Sequence, residues 1–391
     1  MKKSFILAVM AAVFTMPFLG SCSKDAETDG PNQEVGEVKV SFAFEQTAQT
    51  KASASTMKPT TSWSNNIKDL MLLFTDASGV VTEARQLAPP ATNDMAQHSE
   101  TVTGVKAGAY KMYLIANYNE SNIARAAGTG VGTDNEWTEA VKGKNISALT
   151  LELVNHTGFA LVGTENTNTE AYQSPAEIFM ATAEATIVAD ASANAAFSLT
   201  RIVSLFRVRI DQSHNGNDEV DFSTGDIRIR NINTEYNPST YEAGLAKTNL
   251  IFADGGFSSV EPTSADGYFD AGTNGMLSGD YTLWGDYIIF PGGSAVVGGE
   301  SEKKFNVVIS GIAPTGYVAG DAGAITDPTG VRVYWSGQVT AEVAENSIIE
   351  VNLTLKTAGT VDIDEVSDYG NLDIEVDLIG WGNITSVSQD L

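Results

Sequence analysis

The sequence predicts an all-β protein built from two tandem β-sandwich domains. Helical periodicity is scarce, whereas short runs of alternating or continuous β-branched and aromatic residues recur along the chain. Clusters of Gly, Asn, Asp, Ser and Thr separate these runs, as turns separate short strands. Because 391 residues exceed the length of a single sandwich, two packed cores are expected.

The first element is predicted to be a lipoprotein signal peptide at residues 1–21. Lys2 and Lys3 precede an apolar stretch, residues 5–19, that is too short to span a membrane. Small residues then lead to Cys22, the only cysteine of the chain. This placement predicts that Cys22 becomes a lipidated N-terminus outside the cytoplasm. A secretory signal that contains a cysteine by chance is the alternative.

Residues 22–37 are predicted to be a flexible tether between the lipid and the fold. This stretch is rich in acidic, amide and small residues, and it offers too little apolar surface to form a core. With Cys22 consumed by the lipid, the chain has no cysteine left for a disulfide. Its stability therefore depends on packed cores.

The body of the chain is divided into an N-terminal sandwich at residues 38–212 and a C-terminal sandwich at residues 213–391. A polar stretch rich in Gly and Asn, about residues 211–221, is the predicted linker. The Gly- and Thr-rich segments 128–135 and 316–330 are predicted surface loops. In chain order, the predicted strands are 38–44, 70–74, 110–116, 148–153, 185–189, 202–210, 226–232, 281–290, 305–310, 331–335, 348–355 and 372–378.

The first and last predicted strands share one strongly alternating pattern. In each, one face is apolar and the other is polar, which is typical of a half-buried strand. The apolar residues of the first strand are Val38, Val40, Phe42 and Phe44. Those of the last strand are Leu372, Ile374, Val376 and Leu378, and they alternate with three acids. Both strands have the form needed to complete a sandwich that lacks one strand.

A polar loop of small residues follows the first strand and carries Lys51 near its centre. Such loops are preferred sites of proteolysis, so cleavage between Lys51 and Ala52 by a trypsin-like enzyme is predicted. The cut would release segment 38–51 and deprive the N-terminal domain of an edge strand. The strand at 372–378 of another copy would then fill the groove by β-augmentation. In the alternative, both segments are ordinary strands of their own domains and Lys51 is only solvated.

The charge of the chain argues against nucleic acid as a partner. Its formal net charge is −26 at pH 7, and no basic stripe is present to neutralise phosphates. The excess of acids instead favours solubility at a cell surface.

The titratable residues do not predict a catalytic or metal site, and no cofactor is expected. His98, His156 and His214 are scattered, and the chain has no second cysteine with which they could bind zinc. The acids at 362–368 approach the spacing of a calcium loop, but Ser367 occupies its glycine position. An acidic, solvated linker explains that stretch better.

Tryptophans raise a second class of function, a surface lipoprotein that binds glycans. Trp284 and Trp335 lie in β-rich runs and are expected in the core. Trp63 and Trp137 lie in polar stretches and are the candidate sugar platforms.

Several short segments, in their order along the chain, resemble those of the Bacteroidales fimbrillins, the pilin family with major (FimA-type) and minor (Mfa-type) fimbrial subunits. They are the lipobox at Cys22, residues 70–74 (LMLLF), 108–117 (GAYKMYLIAN), 178–180 (IFM), 199–208 (LTRIVSLFRV) and 346–353 (NSIIEVNL), and a terminal strand ending at Trp381. None of these is a catalytic signature, so the resemblance implies a structural protein rather than an enzyme.

The resemblance implies subunits of two transthyretin-like β-sandwiches that reach the outer membrane as lipoprotein precursors. A surface protease trims such precursors, which then polymerise into a fimbria by donor-strand exchange and support adhesion. The implied partners are other copies of the chain, accessory fimbrial subunits, a trypsin-like surface protease and, before processing, the outer membrane. Known relatives are cut after arginine, whereas this loop offers Lys51. The resemblance leaves open an uncut, membrane-bound accessory, anchor or tip adhesin.

Overall fold

The structure is a computed structural model, which describes residues 34–44, 67–89, 98–118, 123–127, 131–132, 134–154, 171–172, 177–211, 219–222, 226–230, 233–239, 242–243, 251–255, 283–291, 304–320, 322–340, 344–362 and 372–380. Strands dominate these ranges, which confirms the all-β prediction. The helical segments within them are one short helix, α1 (Asp134–Ala140), and a 3-10 turn (Ile146–Ala148). No helix in the described ranges has the length and apolar character to cross a membrane.

Strands occur along the whole described chain. Those that precede residue 202 are β1 (Val35–Phe44), β2 (Leu70–Thr75), β3 (Val81–Leu87), β4 (His98–Lys106), β5 (Gly108–Ala116), β6 (Ile123–Ala126), β7 (Val131–Gly132), β8 (Thr150–Leu153), β9 (Ala171–Tyr172), β10 (Phe179–Ile187) and β11 (Ser192–Arg201). The later strands are β12 (Ser204–Asp211), β13 (Asp226–Arg230), β14 (Glu235–Asn237), β15 (Glu242–Ala243), β16 (Ile251–Gly255), β17 (Leu283–Ile289), β18 (Lys304–Ala313), β19 (Val331–Thr340), β20 (Ser347–Leu355) and β21 (Leu372–Gly380).

Each predicted strand overlaps an observed strand, but several observed strands were not predicted. Among these, β4 reads HSETVTGVK and buries only Val102 and Val105. Strand β11 reads SANAAFSLTR, and alanine occupies part of its buried face. Because their apolar content is low, such strands lack the patterns of large apolar residues that mark β1, where they alternate, and β2, where they are continuous.

A seven-stranded sheet occupies the N-terminal half, in the order β3-β2-β5-β10-β11-β1-β4. Strand β2 is buried along its whole length, and β5 is buried from Met112 to Ala116. The long antiparallel ladder between β5 and β10 joins Gly108–Ala116 to Phe179–Ile187. Strand β11 then lies between β10 and β1, so β1 is the second strand from one edge of this sheet.

Three further sheets have the orders β17-β12-β20-β21, β19-β18-β13-β16-β9 and β15-β14-β8-β6-β7. The last two combine strands from both halves of the sequence, since β8 pairs with β14 and β9 pairs with β16. One large cluster of buried apolar side chains extends from Val38 to Leu355. The division into two tandem sandwiches stays a prediction.

The chain passes from the seven-stranded sheet to the four-stranded sheet through Ile202 and Val203. Strand β11 ends at Arg201, and β12 begins at Ser204 and pairs with β17 and β20. This passage lies before the predicted linker at 211–221. Segment 202–210, which is predicted to belong to the N-terminal domain, contains most of β12 of the four-stranded sheet. Apolar alternation identifies a strand but does not identify the sheet to which it belongs.

Trp335 of β19 is one of the largest fully buried side chains of the C-terminal half. Its side chain is fully buried, as the sequence predicted, and its Nε1 donates a 2.9 Å hydrogen bond to the Thr357 carbonyl. Gly359 lies against the indole with a φ of 70°, and a Cβ there would lie 2.7 Å from Trp335 Cε2. Only glycine suits both this backbone conformation and this space.

We expect Gly359→Ala to lower the free energy of unfolding more than Gly143→Ala does. Gly143 has a φ of 78° but open space around it, so its substitution carries only the cost of a left-handed alanine, about 1–2 kcal/mol. The clash with Trp335 adds the cost of overpacking, about 1–3 kcal/mol. Urea unfolding of both variants measures the difference. Equal losses would contradict this role of the Trp335 contact.

Candidate functional site

Strand β1 is half-buried, with the side chains of Val38, Val40 and Phe42 facing the core. Val38 and Val40 have no exposed surface and Phe42 is 3% exposed, whereas Lys39 between them is exposed. Phe44 is the last residue of the strand. Fully burying a side chain of this size stabilises a fold by about 1.5–3 kcal/mol relative to leaving it exposed. The alternating sequence thus brings Val38, Val40 and Phe42 to the same face of the strand, where they pack in the core.

Strand β1 is an internal strand of its sheet, not the edge strand that was expected. On one side, Glu37–Phe44 pairs in parallel with Ser192–Leu199 of β11. On the other side, Val35–Phe42 pairs antiparallel with β4, from Lys106 back to His98. The expectation was wrong because the polar strand β4 was not recognised. Removal of β1 would therefore open two strand edges, on β11 and on β4, above an apolar groove.

The start of β1 is fixed by close contacts with the turn between β10 and β11. A Cβ on Gly36 would lie 2.3 Å from the Val188 carbonyl oxygen, so the backbones touch there. The Glu37 amide donates to the Ala191 carbonyl at 3.0 Å, and the Asp190 amide donates to the Val35 carbonyl at 3.0 Å. These bonds extend the strand to Val35, inside the segment predicted to be the tether.

On the exposed face of the sheet, the residues that flank positions 37–43 of β1 are uncharged, whereas Lys106 at the end of β4 is an exposed charge beside Val35. The uncharged exposed residues are Ser192, Asn194, Ala196 and Ser198 of β11, and Ser99, Thr101 and Thr103 of β4. A strand that replaced residues 37–43 would meet these neutral side chains on this face. Acidic residues there would meet no like charge on either neighbouring strand.

Strand β21 contains the other predicted site residues, Leu372, Ile374, Val376 and Leu378. All nine of its residues pair antiparallel with β20, from Ser347 to Leu355. In the described part of the chain it forms the outer strand of the four-stranded sheet, with β20 as its neighbour. Strands β1 and β21 therefore belong to different sheets and do not pair within this chain.

Three further site predictions lie outside the described residues. They are the lipidation site Cys22 and the two residues of the predicted cut, Lys51 and Ala52. The described part of β1 ends at Phe44, a few residues before that cut. Trp63, His156 and His214 also lie outside the described ranges.

Trp137, a predicted sugar platform, is buried rather than exposed, which corrects that assignment. It lies in α1 with no exposed surface, and its ring stacks on Tyr118 with 5.8 Å between the ring centroids. The residues next to it in the sequence are mostly polar, but they form a short helix that buries Trp137. Its indole packs in the core and cannot receive a sugar ring.

His98 packs against β1. Its ring centroid lies 5.0 Å from that of Phe42, and the two residues face each other in the β1–β4 ladder. Within the described ranges, no group of three or more His, Cys, Asp or Glu side chains could hold a metal ion.

An open cleft of about 500 Å³ lies where β2 ends beside β5 and β10. Its polar residues are Thr75, Asp76, Tyr110, Lys111, Tyr113, Glu184 and Thr186. The Asp76 carboxylate accepts the amides of Ser78 and Val80, and the Tyr110 hydroxyl donates to the Lys106 carbonyl. Burial and the nearby Glu83 carboxylate raise the pKa of Tyr110. These contacts stabilise the turn and the strand end rather than form a catalytic pair.

A family model and several solved structures match this chain. The model of fimbrillin-A associated anchor proteins Mfa1 and Mfa2 matches residues 27–257. A proposed cell adhesion protein of Bacteroides eggerthii is 11% identical with a TM-score of 0.47, over 90% of this chain and 98% of that one. The fimbrial anchor protein Mfa2 of Porphyromonas gingivalis is 11% identical with a TM-score of 0.42, over 88% and 98%. Among curated proteins, none matches the sequence.

We expect Phe42→Ala to destabilise the full chain by about 3–5 kcal/mol, the usual cost of truncating a buried phenylalanine. Lys39→Ala is the matched control on the exposed face of β1, and its effect should stay within about 0.5 kcal/mol. Chemical unfolding followed by circular dichroism measures both. If the two variants unfolded alike, β1 would not contribute to the core as described.

Proposed function

Because the chain belongs to the family of fimbrillin-A associated anchor proteins Mfa1 and Mfa2, we propose that it is a structural subunit of a cell-surface fimbria. Its precursor is lipidated at Cys22 and reaches the outer membrane as a lipoprotein. A trypsin-like surface protease cuts it between Lys51 and Ala52. Cut copies then join one another and accessory subunits by donor-strand exchange, as two-domain, transthyretin-like sandwiches that support adhesion. The chain itself catalyses no reaction.

The observation that carries this proposal is the position of β1 between β11 and β4. Its loss would leave the apolar contacts of Val38, Val40 and Phe42 unfilled and the backbone groups of two strands unpaired. Each unpaired backbone hydrogen bond represents about 0.5–1.5 kcal/mol of lost net stability. A vacancy of this kind strongly favours binding of another strand with apolar residues at every second position.

Strand β21 is the segment of this chain that fits the vacancy. Leu372, Ile374, Val376 and Leu378 provide an apolar face of the same period as that of β1. Their alternating acids would lie between uncharged exposed residues of β11 and β4. In the part of the chain that the structure describes, β21 is the outer strand of its sheet, so it would separate by breaking the single ladder seen there, the one with β20. A strand with two neighbours would have to break two ladders.

An anchor is the second candidate, and the family description supports it. In that role the chain is not cut, and β1 keeps the body joined to the lipid at Cys22. The contacts of Gly36, Glu37 and Val35 with the β10–β11 turn fix the start of β1, which is the end nearer the lipid. Both candidates place the protein at the cell surface. They differ in whether β1 leaves.

We expect Val376→Asp to prevent the cut protein from forming filaments, because a carboxylate on the apolar face of the donor cannot be buried without a partner. Glu375→Gln, on the opposite face of the strand, is the matched control and should polymerise normally. Electron microscopy detects the filaments, and thermal unfolding by circular dichroism shows whether each variant folds. Filaments of a folded Val376→Asp variant would refute β21 as the donor.

A peptide of residues 372–380 tests the same claim without altering the fold. In excess over cut wild-type protein, it should occupy the groove and stop filament growth. The same peptide with the Val376→Asp change should have no effect. Unchanged growth with both peptides would count against exchange through this groove.

A further inference from the structure

A buried polar cluster surrounds the passage from the seven-stranded sheet to the four-stranded sheet. We name it the polar junction and define it as Asn117, Glu177, Arg201 and Asn346. Asn117 follows β5, Glu177 precedes β10, Arg201 ends β11, and Asn346 directly precedes β20. The chain passes through the cluster in two residues, Ile202 and Val203.

Glu177 and Arg201 form a buried ion pair at the centre of the junction. The Arg201 Nε lies 3.1 Å from a Glu177 carboxylate oxygen, and the residues are 3% and 5% exposed, respectively. The guanidinium carbon also lies 5.2 Å from the ring centroid of Phe179. Burial raises the pKa of Glu177, and the charge of Arg201 opposes this effect. Such a pair contributes little net stability, because desolvation offsets the attraction.

Arg201 also reaches across to the four-stranded sheet. Its Nη1 donates a short hydrogen bond of 2.5 Å to Asn346 Oδ1. The Asn346 backbone amide donates to the Val203 carbonyl at 3.1 Å, and the Ser204 hydroxyl donates to the Ala344 carbonyl at 2.6 Å. One side chain of β11 is thereby bonded to the segment that starts β20.

On the opposite side, the junction is bonded to the middle of the seven-stranded sheet. The side-chain Nδ2 of Asn117 donates to the Glu177 backbone carbonyl at 2.6 Å, and Asn117 Oδ1 accepts the Lys68 backbone amide at 2.8 Å. The Ile202 amide donates to the Ile178 carbonyl at 3.0 Å. Together these bonds connect β2, β5, β10 and β11 to β20.

Two members of the junction adopt a backbone conformation that is unfavourable for most residues. Asn117 has a φ of 61° and Asn346 a φ of 53°, and both carry a side chain whose oxygen accepts a bond in the cluster. A left-handed residue other than glycine persists only where the surrounding structure fixes it. Two left-handed residues and a buried ion pair therefore lie together where the chain passes from the seven-stranded sheet to the four-stranded sheet.

We propose that the polar junction is a lock that fixes the angle between the seven-stranded and four-stranded sheets. A two-residue connection has few ways to turn, but the two φ and ψ pairs at Ile202 and Val203 still allow a hinge. The bond from Arg201 to Asn346 opposes that hinge, because rotation of one sheet relative to the other separates these two groups. The ion pair with Glu177, on the same side as Arg201, holds the guanidinium in place for that bond. The benefit of the ion pair is then a defined geometry rather than stability. The inference does not depend on strand exchange.

The test is a distance measurement between the two sheets. In the full chain with Cys22→Ser, spin labels are placed at Ser192→Cys, the first residue of β11, and Lys356→Cys, directly after β20; both positions are exposed and remote from the junction. Pulsed electron paramagnetic resonance then gives the distance distribution. Asn346→Gly keeps the left-handed backbone and removes only the side-chain acceptor. We expect it to roughly double the width of the distribution.

Two further variants separate a lock from a merely stabilising contact. Asp190→Gly replaces another left-handed residue, with a φ of 56°, in the turn between β10 and β11, and should leave the width unchanged. The double variant Glu177→Met and Arg201→Met removes the charges as a pair, so it should broaden the distribution with little change in the unfolding midpoint. Wild-type widths in both Asn346→Gly and the double variant would overturn the lock. Equal broadening in Asp190→Gly would do the same.

Discussion

The insertion of β1 between β11 and β4 is the constraint on which the N-terminal half of the structure depends. Two ladders hold this strand by its backbone, and Val38, Val40 and Phe42 hold it by burial. A strand with only one neighbour could leave at the cost of one ladder and a partly exposed face. Strand β1 leaves only if both ladders break and the apolar groove is uncovered, so any state without it strongly favours a substitute.

This constraint relates the two candidate roles of a fimbrial subunit. While β1 stays in place, the same contacts that complete the sheet would join the body to the lipid at Cys22. In the proposed polymerisation, removal of β1 would turn the identical contacts into a binding site for an alternating strand from another copy, for which β21 has the sequence. Under this proposal, one groove would serve as a tether or as a polymerisation site, and cleavage of the segment that contains Lys51 would decide between them.

The sequence identified individual strands well but did not reveal their neighbours. Alternation in β1 predicted which side chains are buried, and continuous hydrophobicity predicted the fully buried β2. The internal position of β1 was missed because β4 is polar and resembles a loop. The burial of Trp137 was missed because α1 is short. The passage at Ile202 and Val203 was missed because these two residues are apolar and β-branched, like those of a strand interior. Pairing between distant strands leaves little trace in either local sequence.

The most direct test of strand exchange is the N-terminal residue of the protein sheared from the surface of native cells, determined by mass spectrometry. The account predicts Ala52, which would show that the lipid and β1 have been removed from the assembled protein. A lipidated Cys22 on every recovered copy would contradict it. The chain would then remain tethered through β1, and the anchor role would replace polymerisation.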